Sequence, residues 1–229
     1  MKRTLTALIA LAVLGLAPSA QARVIELGAG ADPAKAASCP ENCQAVGRVS
    51  GYMGRSGKLR NPFLIKRDGK IVAFTIALGK PDQRQVEFFT DLYGGPPQVR
   101  ISILRRGKTR KSRLTHRLMD QSDLYRVDRY FGSTPTFALD KPLRVVKGQI
   151  VALTVPTWAP AFAVDLPRSN WWRSSRHKGE CDDVSQRAAQ QFKGGLRIYG
   201  CTYHTARLTY TATYIPDPRP TDGSADTTP

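Results

Sequence analysis

The sequence is short of acid, short of histidine and almost without long apolar runs. Of 229 residues, 18 are Asp or Glu against 35 Lys or Arg, three are His, and the net charge is +17. Sparse carboxylates leave little from which to draw the paired acids of glycoside hydrolysis. No HExxH, P-loop or dinucleotide fingerprint occurs, so nothing points to a zincin, a P-loop NTPase or a nicotinamide enzyme. Gly-x-Ser-x-Gly is missing, which removes the nucleophile elbow of α/β hydrolases. Asp-x-Asp-x-Asp calcium loops are missing as well. Neither a cofactor nor a metal is expected, and no catalytic residue is assigned.

One apolar run is present, at the start. Met1-Lys2-Arg3 is followed by Leu5–Leu16, a break at Pro18, and Ala20-Gln21-Ala22. A basic stub, a short apolar core and a small-x-small site make residues 1–22 an expected signal peptide. The run is shorter than the roughly 20 residues that span a bilayer. The expected mature chain is therefore secreted or associated with the cell envelope, with no transmembrane segment. Residues 23–44 read as a lead-in, 45–215 as a single domain, and 216–229, rich in Pro, Asp, Thr and Ser, as a disordered tail.

Four cysteines, Cys39, Cys43, Cys181 and Cys201, fit disulfides in an oxidising compartment, with three possible pairings. Cys39–Cys43 and Cys181–Cys201 are preferred because each closes a local segment. The rival is a metal site drawing on His177 or His204, but the spacings are not those of a zinc ribbon or finger.

From Ala45 the chain breaks into short β-type runs. Asp68-Gly69 is a hairpin signal between Phe63–Lys66 and Lys70–Leu78. Val86-Glu87-Phe88-Phe89 reads as a further short run. Val99–Arg105 alternates apolar with polar, as a half-buried strand does. Gln149–Val155 and Ala206–Tyr214 follow the same logic, the latter placing Leu208, Tyr210, Ala212 and Tyr214 on one face. A short helix is expected at Asp182–Phe192, where Val184, Ala188 and Phe192 fall four apart. The expected fold is an all-β antiparallel sandwich, jelly-roll-like, with a disulfide-tied irregular insertion before the last strand and at most one short helix.

The stretch Pro142–Pro156, with its Lys147-Gly148 turn, resembles a hairpin of jelly-roll sandwiches similar to galactose-binding-like and carbohydrate-binding-module domains. Gln98–Arg105 fits a central strand of such a fold and Ala206–Tyr214 its closing strand. The resemblance covers roughly residues 60–155 and 206–215. It implies a non-catalytic binding module.

Two surface features are candidates for binding. Arg105, Arg106, Lys108, Arg110, Lys111, Arg113 and Arg117 put seven cations in thirteen residues around a Gly107 turn, with no acid among them. Such a hairpin tip attracts phosphate, sulfate or carboxylate groups. It contains no aromatic side chain to stack bases, so specific nucleic-acid recognition is not expected. Trp171, Trp172, Arg173 and Arg176 form the second. Aromatic faces stack on sugar rings while neighbouring polar groups take the hydroxyls. Adjacent Trp171 and Trp172 point to opposite faces in extended chain, so one is expected inside and the other accessible. Trp158, between Pro156 and Pro160, is expected to be a core plug.

The leading expectation is a non-catalytic exported domain that binds an anionic polymer or glycan of the envelope or surroundings. A hydrolase using His177 with Glu180, Asp182 or Asp183 is one alternative. A structural or adhesion protein that meets another protein is the other.

Overall fold

The structure, a computed structural model, describes residues 23–29 and 37–218. The expected signal peptide lies outside the described residues, as does most of the expected tail. The fold is all-β and antiparallel. Its strands, in order, are β1 (Ile25–Leu27), β2 (Val46–Ser56), β3 (Leu59–Arg60) and β4 (Gly69–Ile76), then helix α1 (Gln83–Tyr93). After the helix come β5 (Gln98–Arg106), β6 (Thr115–Gln121), β7 (Tyr125–Arg126), β8 (Thr136–Val145), β9 (Ile150–Ala159) and β10 (Phe162–Ala163). Last are β11 (Trp171–Ser174), β12 (Leu196–Ile198), β13 (Cys201–His204), β14 (Arg207–Leu208) and β15 (Tyr210–Pro216).

Two sheets carry the structure. The smaller runs β1-β15-β4-β8; the larger follows the path β12-β6-β5-β9-β2-β11-β13. They pack face to face over one core, where Phe63 stacks on Tyr210 at 4.3 Å between ring centroids and the Tyr210 hydroxyl donates to the Val151 carbonyl.

The larger sheet curls into a half-barrel. Three strand spacings separate β6 from β2, about 14 Å in a flat sheet. Yet the rings of His116 on β6 and Tyr52 on β2 lie 5.4 Å apart. Bulges between Gly47 and Val49 and between Ile103 and Leu104 help the bend. Arg48 sits in the first with φ +52°, a left-handed backbone. The path's two end strands, β12 and β13, are consecutive in the chain and joined by Tyr199-Gly200.

This curl gives β9 two buried faces. Val151, Leu153 and Val155 meet the smaller sheet, while Ala152 and Thr154 face the inside of the curl; all five are buried. A strand covered on both sides is largely apolar on both, which explains why Thr154 is the one polar side chain in Ile150–Val155. The hollow is filled by the disulfide-tied segment before β12. Ala188, Ala189 and Gln190 are buried there, and the Ala188 amide donates to the Arg48 carbonyl. The Gln190 amide donates to Ser50 Oγ, which lies 2.7 Å from Thr154 Oγ1, itself 2.7 Å from Ser102 Oγ. Each buried hydroxyl thus finds a partner, as burial demands.

Three local expectations are corrected. Asp182–Phe192 forms no helix; its backbone is drawn into the plug, where Gln190 spends its amide and side chain on the barrel wall. The helix instead covers Gln83–Tyr93, including the run read as a strand. Asp82 caps it: its carboxylate accepts from the Gln85 amide while the Gln85 side chain accepts from the Asp82 amide. Gly94, at φ +70°, ends it with a left-handed turn. The buried face, Phe89 and Tyr93, packs on Trp158, which is fully buried as expected. Finally, Phe63–Lys66 does not pair with β4. It runs beside the start of β9, the Val151 amide donating to Phe63 O, and β4 takes β15 and β8 as neighbours.

Both preferred disulfides are present, Cys39–Cys43 and Cys181–Cys201. Among the described residues no cysteine is free, no helix is long and apolar enough to cross a membrane, and no metal-ligand cluster occurs. The lead-in contributes a strand, β1, to the smaller sheet, and Asp217 pairs with Arg144 at 2.8 Å just past β15.

Candidate functional site

The two surface features that the sequence places 65 residues apart meet at one end of the half-barrel. A cleft of about 490 Å³ opens there. Arg106 comes from the end of β5 and Arg113 from the β5–β6 loop. Tyr52 comes from β2, and Trp171 and Arg173 from β11. Met53, Asn61, Leu64, Leu114, Gly148 and Ile150 complete the wall. None of the lining residues is acidic. Register explains the convergence. Arg106 is opposite His116 and Arg173 is opposite Tyr52, so all four side chains share the concave face.

Trp171 lies against Gly54, where a Cβ would overlap the indole ring. The glycine is what lets a flat aromatic face lie against the strand. Arg173 stands 5.9 Å from the Trp171 ring centroid and donates to the Tyr199 carbonyl at 3.1 Å. Arg106 is held by the hairpin itself, its Nε donating to the Arg113 carbonyl at 2.8 Å.

Beneath the cleft sits a layer of rings. Tyr52, His116 and Tyr199 pack with centroids 4.4 to 5.7 Å apart. His116 Nδ1 lies 3.0 Å from the Leu114 carbonyl, and Nε2 lies 3.2 Å from the Tyr52 hydroxyl. A carbonyl only accepts, so Nδ1 carries the proton; Nε2 then accepts from Tyr52. Burial pushes the His116 imidazolium down to about 4, helped by Arg106 and Arg173. Burial raises Tyr52, while Arg173 and Arg106 pull it the other way.

The expected site residues divide. Arg106, Arg113, Trp171 and Arg173 line the cleft. Arg105, Lys108, Arg110 and Lys111 are exposed on the hairpin beside it. Trp172 and Arg176 are used inside. Trp172 is buried and stacks on Tyr203 at 4.7 Å, and Arg176 donates to the Cys181 carbonyl and the Tyr203 hydroxyl. Tyr52, Asn61 and Ile150 were not singled out from the sequence. Alternation within Val46–Ser56 does place Tyr52 opposite Met53, but not beside His116. The proposed hydrolase residues His177, Glu180, Asp182 and Asp183 are all exposed. Exposed apolar side chains group at the edge strand β12, with Leu196 and Ile198 on it and Phe192 in the turn before it.

Comparison with known proteins adds nothing to this geometry: no family model, no curated protein and no solved structure matches the chain.

Proposed function

We propose that this chain is an exported domain that binds an anionic glycan of the cell envelope or surroundings in the cleft at the half-barrel mouth. The observation that carries the reading is the lining: Arg106, Arg113 and Arg173 share one concavity with the Trp171 face, and no carboxylate is among the lining residues. Guanidinium forks match carboxylate, sulfate and phosphate oxygens two bonds at a time. Charges of one sign lining a concave site focus the potential there. An indole face beside them suits the ring of a sugar. The cleft is of ordinary size for a small-ligand site. The exposed hairpin charges Arg105, Lys108, Arg110 and Lys111 serve the approach of a polyanion, a long-range effect that salt screens.

A titration of the protein with acidic and neutral polysaccharides across a salt series tests this. Acidic polymers should bind and neutral ones should not. Arg173→Ala or Arg106→Ala should weaken binding at least tenfold, about 1.4 kcal/mol or more. Arg110→Ala with Lys111→Ala should instead flatten the salt dependence. Equal affinity for neutral and acidic chains, unmoved by the cleft arginines, would sink the reading.

A further inference from the structure

The edge strand β12 presents side chains that a water-facing surface normally hides. Phe192 is 83% exposed, Leu196 60% and Ile198 45%. Single exposed apolar side chains are ordinary, but three within seven residues form a patch. Among the described residues β12 pairs with β6 alone, so its outer side is open. The turn before it is fixed by two bonds. The Gly195 amide donates to the Phe192 carbonyl, and Arg117 Nη1 donates to the Gly194 carbonyl at 2.6 Å.

Positive charge surrounds this patch. Arg105 lies opposite Arg117, and Arg117 opposite Leu196, so the three side chains form one row on one face of the sheet. Residues 105–117 and 192–198 together hold nine cations and no acid. Asp120, further along β6, is paired with Lys193 at 2.9 Å. The neighbouring row, Arg106, His116 and Arg197, projects from the opposite face. Arg106 belongs to the cleft, so the row that carries Leu196 faces away from it.

We infer that the β12 edge docks the protein on a membrane surface rich in acidic phospholipid. Phe192, Leu196 and Ile198 enter the boundary between headgroups and acyl chains, and the arginines and lysines around them meet the lipid phosphates. The negative surface potential draws the cations in over about a Debye length. Burial of the apolar side chains then adds an attraction that salt does not screen. A second copy of the chain fits this edge poorly, because it would set like charges against each other. Residues 219–229 contain no large apolar side chain that could cover Phe192. The inference is independent of the anionic-glycan reading. Since the two surfaces face apart, the cleft stays open while β12 rests on the bilayer.

The test is sedimentation of the chain from Arg23 with vesicles of phosphatidylcholine alone, and with vesicles of phosphatidylcholine and phosphatidylglycerol in equal parts. Starting at Arg23 keeps the apolar run Leu5–Leu16 out of the bilayer and retains both sheets entire. The mixed vesicles should carry the protein down and the neutral ones should not. Added salt should weaken the association. Phe192→Ser combined with Leu196→Ser should lower partitioning at least tenfold, with Tm and affinity for acidic polysaccharide unchanged. Phe192→Trp should bind like the wild type and lose more emission than the wild type on lipid brominated in its acyl chains. The proposal is overturned if neither vesicle binds, if both bind equally, or if the serine variant binds as well as the wild type, which is adsorption by charge alone. It is equally overturned if the brominated lipid quenches no additional emission. A dimer in solution that the serine variant dissolves would give the edge to a second copy and reject the membrane. Vesicle binding that persists without any polysaccharide binding would sink the glycan reading and leave this one standing.

Discussion

Gly54 and Trp171 show how one missing Cβ shapes the site. A methyl at position 54 would occupy the space of the indole ring. The overlapped atoms are the far end of a half-buried side chain, so Gly54→Ala should keep the fold. Its expected result is a red shift in tryptophan emission and a loss of glycan affinity, read by fluorescence titration. His116 makes a second residue-scale prediction. Its imidazole is held neutral down to about pH 4, against an ordinary value of 6.5. The unfolded chain therefore binds the proton first as pH falls. The stabilisation is complete above pH 6.5, declines between 6.5 and 4, and is gone below 4. The whole amounts to about 3 kcal/mol. Urea denaturation at pH 7 and pH 4 should show that loss in the wild type and a much smaller one in His116→Gln.

Among the elements, α1 depends on its ends more than on its composition. Its capping box satisfies two backbone donors reciprocally. Asp82→Ala should therefore cost about 1 kcal/mol, seen as a fall in Tm of a few degrees. That helix also marks where sequence reading stops. Leu208–Tyr214 announces itself by alternation between a dry face and a partly exposed one, and Val99–Arg105 alternates as well although Ser102 and Leu104 on its second face are buried inside the curl. Val86-Glu87-Phe88-Phe89 carries β-type residues, and only the Asp82/Gln85 pair and Gly94 betray a helix. Val86, Phe89 and Tyr93 at spacings of three and four confirm it once the caps are noticed. The misread helix at Asp182–Phe192 failed for the opposite reason. Its periodicity is real, but Ala188 and Gln190 gain more from the barrel wall, where Gln190 makes bonds through both its amide and its side chain. The site was legible as residue types and illegible as an assembly. Arg106 and Trp171 are joined only by the curl of a sheet whose bulges leave no strong local mark.

For the molecule as a whole, the Cys181–Cys201 bond governs how well the plug is seated. It closes a segment of 20 residues, for which chain entropy alone gives about 3 kcal/mol. Replacing both cysteines with alanine should lower stability by that order in a denaturant titration. It should also raise hydrogen exchange at Ala188–Gln190 before it does so in β9. If those amides stay protected to the same degree, the plug is held by its own hydrogen bonds and the disulfide is secondary.

The pairing of β1 with β15 has a mechanical consequence. Ile25 lies opposite Tyr214 and Leu27 opposite Ala212, so the chain enters and leaves the smaller sheet at the same end. A load applied between residues 23 and 218 would open that pair one rung at a time, like a zipper, and not shear all its rungs at once. Along that axis the domain should yield to a small force while the half-barrel and its cleft remain whole.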